Sequence, residues 1–281
     1  MNDLQLHRLR TETFVSRVEY HRALVSTNDR ARRIAEEGSG SLPVLVIADE
    51  QTAGRGRGTN RWWTGTGSLA FSLLFDPAAR GIQRPWLPLM SLAAALAIVE
   101  TCEPRAPNVR LGVHWPNDVF ASDRKLAGVL VEALADGRHI LGIGWNVNNS
   151  SSQAPLELAE IVTSLCDLSP GPHDRTLILV EALSRLDVLL DHLAQHPKSI
   201  SRRADVACLQ HGKTLTIEAG KRQTTGVCAG IAPDGALLLD TPSGRQSHYC
   251  GVLIHAHEPI APVRTAPIRP DAPIRPCPSN P

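Results

Sequence analysis

Four short apolar runs, NVRLGVHW, VFAS, RKLAGVLVEAL and RHILGIGWNV, follow one another between Asn108 and Val147, broken only at the turn residues PND, SD (its serine shared with VFAS) and ADG. Connections this short leave no room for crossover helices, so neighbouring runs have to pair antiparallel as hairpins. A chain with such a block must build a sheet around it. Two further β-branched runs precede it, LPVLVIADE at 42–50 and GSLAFSLLF at 67–75, and read as neighbouring buried strands.

Cover for the sheet is also legible. LPLMSLAAALAIVETCE at 87–103 has the alanine and leucine content of a helix buried on most of its circumference. STNDRARRIAEEGSG opens on capping residues, carries Ile34 on a polar helix and stops at Gly38. DRTLILVEALSRLDVLLDHLAQH repeats apolar residues at helical spacing and closes a large unit spanning 1–203. From about 204 the texture changes to short strands between glycine turns, GKTLTIEAG, RQTTGVCAGIAPDG, ALLLDTP and SHYCGVLI, which suits a small β-barrel over 204–255. The last 23 residues hold eight prolines and repeat APIRP, so 256–281 reads as a disordered tail. The fold class expected is α+β, a mixed sheet flanked by helices with a small second domain.

With 29 basic and 28 acidic residues the formal charge is +1, which provides no global field to recruit nucleic acid or an anionic membrane. Any electropositive site must be local. The six cysteines form no CxxC pair and no metal-ligand spacing, so they read as reduced packing residues, and no metal site is expected. No run of 18 apolar residues and no secretory h-region is read, which places the expected chain in the cytoplasm.

Four stretches carry chemistry. Ser26, Thr27 and Asn28 offer hydroxyls and an amide, though they also suit a helix cap. QTAGRGRG at 51–58 places Arg55 and Arg57 among glycines, with Trp62 and Trp63 close behind. Glycine admits close backbone approach, arginine offers a fork for phosphate and tryptophan a flat apolar face, so a nucleotide is suggested. The loop has neither the GK[ST] ending of a Walker motif nor a βαβ setting, and its bland reading is a mobile or RNA-binding linker. HWPND leads to Lys125 in KLAG, where an ordinary turn and a solvated lysine compete with a point charge projecting into a cleft. GIGWNVN ends a strand on Asn146 and Asn148, either of which could pair a base edge.

Taken together, STN, QTAGRGRG with its tryptophan, WPND followed by KLAGVLVE, and GIGWNVN closely resemble the biotin–protein ligases, over roughly residues 20–255. The resemblance implies the class II synthetase-like catalytic domain of the biotin and lipoate ligases, followed by an SH3-like barrel. It implies a monofunctional biotin–[acetyl-CoA-carboxylase] ligase that uses ATP with Mg2+ to form biotinyl-5′-AMP. The biotin then passes to one lysine of a biotin carboxyl carrier protein. By matching positions, Ser26, Thr27, Asn28 and Gln51 meet the biotin head group, while Arg55, Gly56 and Arg57 wrap its carboxyl and phosphate end. Lys125 lies at the carboxylate and α-phosphate, Trp62 packs on the adenosine side, Asn146 bonds the base and Asn117 and Asp118 complete the cleft. The implied catalytic set is Lys125, Arg57 and Asp118, with Asp118 orienting the incoming lysine.

This sequence departs from the family pattern at His114, where most members have lysine, and at Thr59, often glycine. A neutral histidine brings less positive charge at pH 7. Only about 25 residues precede STN, too few for a helix-turn-helix, so no DNA binding is expected and the chain reads as a monomer or weak homodimer. A lipoate–protein ligase, a non-catalytic biotin sensor and an RNA-binding module are the alternatives.

Overall fold

The computed structural model describes residues 4–38 and 40–255; the proline-rich stretch 256–281 lies outside the described residues. In chain order, α1 (Leu6–Thr11) leads to β1 (Arg17–Leu24), α2 (Thr27–Glu37), β2 (Val44–Gln51) and β3 (Leu69–Phe75). Next, α3 (Met90–Cys102) precedes β4 (Leu111–His114), β5 (Asp118–Ala121), β6 (Arg124–Ala133) and β7 (His139–Trp145). Short helices α4 (Leu156–Ala159) and α5 (Leu165–Leu168) are followed by α6 (Arg175–Gln195) and α7 (Pro197–Val206). The chain then forms β8 (Thr214–Ala219), β9 (Arg222–Ile231), β10 (Leu237–Thr241), β11 (Gly244–His248) and β12 (Val252–His255).

The first seven strands make one mixed sheet in the order β1-β2-β3-β7-β6-β5-β4. Only β1 and β2 run parallel, and the block from β4 to β7 forms the expected succession of hairpins. The continuous apolar run of β2 has a two-sided cause. Leu45 and Ile47 face the main core with α3 and α6, while Val44 and Val46 pack with Ala31, Ile34 and Ala35 of α2. A strand covered on both faces has no polar side to show. Helix α2 ends at Gly38, whose φ of +68° is the left-handed stop expected there. Helix α3 is buried along nearly its whole length. The segment Arg84–Cys102 is long and apolar enough to cross a bilayer, unlike the expectation, but 67% of its apolar window is buried inside the protein as core.

The last five strands form an antiparallel sheet in the order β11-β10-β9-β8-β12. It begins at Thr214, beyond residue 204, which lies inside α7. Leu215, Ile217, Cys228, Leu237 and Leu239 join the same apolar cluster as the large sheet. The connecting residues also pair with the large sheet: Val113 N–H donates to the Ala207 carbonyl at 2.9 Å, and Leu209 N–H to the Val113 carbonyl at 3.0 Å. They thereby cover edge strand β4. Cys102, Cys208 and Cys228 are buried as packing residues, and burial pushes the Cys102 thiol up to about 12. Cys250 departs from that reading, being exposed on a cavity wall.

Candidate active site

Pairing register decides where this sheet can hold a ligand. Across β3, β7 and β6, one row is Ala70, Gly144 and Gly128, the next Ser72, Gly142 and Leu130, and a third Leu74, Ile140 and Glu132. Helix α2 covers the third row, where Leu74 and Ile140 pack with Ala31 and Ile34. Beyond the start of α2 the first two rows carry small side chains apart from Leu130, and over them opens a cavity of about 730 Å³. That is the size of a small-molecule site. A methyl on Gly142 would fall 2.0 Å from Asn28 Oδ1, and one on Gly144 2.2 Å from the Trp62 ring. Both side chains therefore rest on glycine positions of β7.

One end of the cavity is a polar relay. Ser26 precedes α2, but its side chain makes no capping bond, and Ser26, Thr27 and Asn28 are all buried. The backbone N–H and hydroxyl of Thr27 both donate to Gln51 Oε1, at 2.8 and 3.1 Å. Ser72 Oγ lies 2.7 Å from Thr27 Oγ1 and 2.6 Å from Asn28 Oδ1. Burying Thr27, Asn28 and Ser72 together is costly unless they are satisfied, and Thr27, Asn28 and Gln51 face the cavity. The cap reading of the side chains is thus set aside.

QTAGRGRG is a tight hairpin rather than a linker. Arg55 bridges to Arg61, Trp62 N–H donates to the Gly54 carbonyl at 2.9 Å and Gly56 N–H to the Asn60 carbonyl at 2.8 Å. Gly58 turns it with a φ of +61°, which a side chain would strain. The cations of the cavity differ in what balances them. Arg55 Nη2 meets Glu132 Oε2 at 2.6 Å and Asp29 Oδ1 at 3.0 Å, and Lys125 Nζ meets Asp118 Oδ2 at 2.7 Å. Arg57 instead donates to two neutral acceptors, Asn117 Oδ1 at 2.9 Å and the Gly251 carbonyl at 2.6 Å. Among the described residues Arg57 pairs with no carboxylate, so its charge stays available.

Asn117 also donates to the Val129 carbonyl at 2.5 Å, fixing the turn that leads into Asp118. Asp118 Oδ1 is buried without a hydrogen-bond partner among the described residues. Lys125 Nζ stands 5.7 Å from the centroid of the Trp62 ring, within cation–π range, and His114 stacks on Phe120 with centroids 4.2 Å apart. Ser26, Thr27, Asn28, Gln51, Arg55, Gly56, Arg57, Trp62, Asn117, Asp118 and Lys125 all line the one cavity.

Asn146 is the exception. It is buried outside the cavity wall, donating to the Thr163 carbonyl at 3.0 Å and accepting from Asn149 Nδ2 at 2.8 Å. Three features were missed in the sequence: the glycine floor, Glu132, and the wall contributed by Glu218 and Cys250–Leu253 of the second sheet. Glycines alternating inside the apolar strand GIGW were the available signal, since strand glycines mark close approach by another group.

Residues 24–148 match the family model described as the biotin/lipoate A/B protein ligase family, and residues 211–255 that of the biotin protein ligase C-terminal domain. A biotin–[acetyl-CoA-carboxylase] ligase of Mycobacterium tuberculosis is 32% identical over 238 residues, covering 82% of this chain and 85% of the relative. The bifunctional ligase/repressor BirA of Bacillus subtilis is 30% identical over 247 residues, covering 86% of this chain and 74% of the relative. Among solved structures, the biotin protein ligase from Aquifex aeolicus in complex with biotin and ATP superposes with a TM-score of 0.74 at 27% identity, covering 85% of this chain and 98% of that one. Two family models in tandem and relatives matched along most of their length place this chain in the biotin protein ligase family.

Proposed function

We propose that this chain activates biotin with ATP as biotinyl-5′-AMP and transfers the biotinyl group to a lysine of a biotin carboxyl carrier protein. The observation that carries the reading is the polarity of the cavity. A relay of hydroxyls and amides at Ser26, Thr27, Asn28 and Gln51 stands at one end, an apolar glycine floor lies between, and Arg57 and Lys125 stand at the other. That sequence suits a ligand with a polar ring, an apolar body and a carboxylate brought against a phosphate.

In the first half-reaction a biotin carboxylate oxygen attacks the α-phosphorus of ATP, the bond to the bridging oxygen breaks and pyrophosphate leaves. Negative charge accumulates between the two anions, and fixed cations there are worth more in the transition state than in the ground state. We assign that role to Arg57 and Lys125, and to Trp62 the wall on the adenosine side. In the second half-reaction the carrier amine attacks the acyl carbon, the carbon–oxygen bond to phosphate breaks and AMP leaves. We assign to Asp118 the orientation of that amine and receipt of its proton, a role that its buried Oδ1 supports. No enzyme nucleophile is needed, because the mixed anhydride is itself activated.

Magnesium accompanies ATP and shields its oxygens. Asp118 and Glu218 are the carboxylates on the cavity wall, and no cluster of three or more metal-ligating side chains occurs among the described residues. This small donor set fits an ion held mostly by the nucleotide's phosphates and water. The carrier is proposed to be the biotin domain of acetyl-CoA carboxylase, with no role for DNA.

Biotin-dependent exchange of labelled pyrophosphate into ATP, with lipoate and no acid as controls, tests the first step. Adding a carrier domain tests the second. Exchange with biotin followed by transfer supports a ligase; exchange without transfer indicates a sensor, and exchange only with lipoate replaces the substrate.

A further inference from the structure

The third row of the sheet ends on a carboxylate where its neighbours Leu74 and Ile140 are apolar. Glu132 is largely buried, and its position is unusual for a charge unless it is paired. It is more than paired. Oε1 accepts from Arg32 Nη2 at 3.0 Å, and Oε2 accepts from both Asn28 Nδ2 and Arg55 Nη2, each at 2.6 Å. A single oxygen thus joins the start of α2 to the root of the glycine hairpin, two segments that wall the cavity from different parts of the chain.

The chemistry of that oxygen has consequences at both ends. An ionised carboxylate only accepts, so the donor end of the Asn28 amide must face Glu132. Asn28 Oδ1 is then turned to Ser72 Oγ and the floor at Gly142, in the polar relay. At the other end, Arg55 is matched by Glu132 and by Asp29, so two carboxylates already offset its charge. Arg57, two residues on, pairs with no carboxylate among the described residues.

We infer that Glu132 is a positioning residue of the biotin pocket: it fixes which face the Asn28 amide offers and, through Arg55, ties the glycine hairpin across the head-group end. Arg55 acts here as a latch rather than as a phosphate ligand. The inference rests on the biotin-ligase reading above.

The test is pyrophosphate exchange with biotin and ATP varied separately, together with calorimetric titration of biotin alone, on wild type, Glu132→Gln, Arg55→Gln, Arg32→Gln and the Glu132→Gln/Arg55→Gln pair. Loss of a charge-assisted bond that orients the ligand's partner should raise the biotin KM and Kd of Glu132→Gln about tenfold. The ATP KM and the rate at saturating biotin should stay within about twofold, as for a loss of uniform binding. Arg55→Gln should show the same split, and the pair should be no worse than Glu132→Gln alone, since the two act as one unit. Arg32→Gln, which touches the other oxygen and lies off the cavity wall, should leave the biotin KM unchanged.

A Glu132→Gln chain with wild-type biotin affinity overturns the inference. So does an Arg55→Gln chain whose loss falls on the ATP KM or on the saturated rate, and this variant decides the matter if Glu132→Gln fails to fold. A wild-type chain that neither binds nor activates biotin removes the ligase reading and this inference together, whereas the outcomes above leave the reading standing.

Discussion

Lys125 and Arg57 face the same cavity with different electrostatic obligations. Lys125 is held 2.7 Å from Asp118, whereas Arg57 leans on an amide oxygen and a carbonyl. A ligand phosphate therefore competes with Asp118 for Lys125 but, among the described residues, meets only neutral acceptors at Arg57. Lys125→Ala should slow adenylate formation on the order of a hundredfold, because a charge used mainly in the transition state is lost. The melting temperature should shift little, since the pair is partly solvated. Pyrophosphate exchange and a thermal melt check both halves. Asp118→Asn should separate the half-reactions, leaving exchange largely intact while slowing transfer to the carrier about a hundredfold or more. Equal slowing of both steps would deny Asp118 a role in receiving the amine.

The elements were legible where local pattern sufficed and obscure where a distant partner was needed. The hairpin block, α2, α3 and α6 follow from apolar periodicity and turn chemistry within a few residues. Strand β1 escaped because RVEYHRAL is polar at every second or third position and pairs in parallel with β2 across an intervening helix. The partners of Asn146 were obscure for a related reason, since a strand-ending asparagine looks the same whether it faces a cavity or a buried carbonyl. Two predictions belong at this scale. Gly142→Ala should abolish measurable biotin binding while the chain stays folded, because the added methyl falls on Asn28 Oδ1, and calorimetry with biotin reads it directly. Glu19 of β1 is held below the usual carboxylate range by its bond to Arg30 of α2, with His21 assisting and burial opposing. Its contribution is complete above the unfolded carboxylate value of about 4.3 and is lost as pH falls through the lower folded value. Denaturant melts between about pH 6 and pH 3 should therefore show a steeper acid loss in wild type than in Glu19→Gln.

At the scale of the molecule, the cavity is closed by both sheets, with Arg57 reaching from the glycine hairpin to the Gly251 carbonyl. Every described wall residue lies at or before Leu253, so a chain ended after His257 should keep wild-type exchange and transfer rates, measured side by side with the full chain. Composition placed a second unit near 204 but could not show how the connection is used, because pairing between residues 207–209 and β4 leaves no mark in either stretch. That pairing makes the joint itself part of the catalytic sheet. The two regions that composition distinguishes therefore share a paired border. Severing them would bare the amides and carbonyls of Val113 and its neighbours, a ready template for self-association.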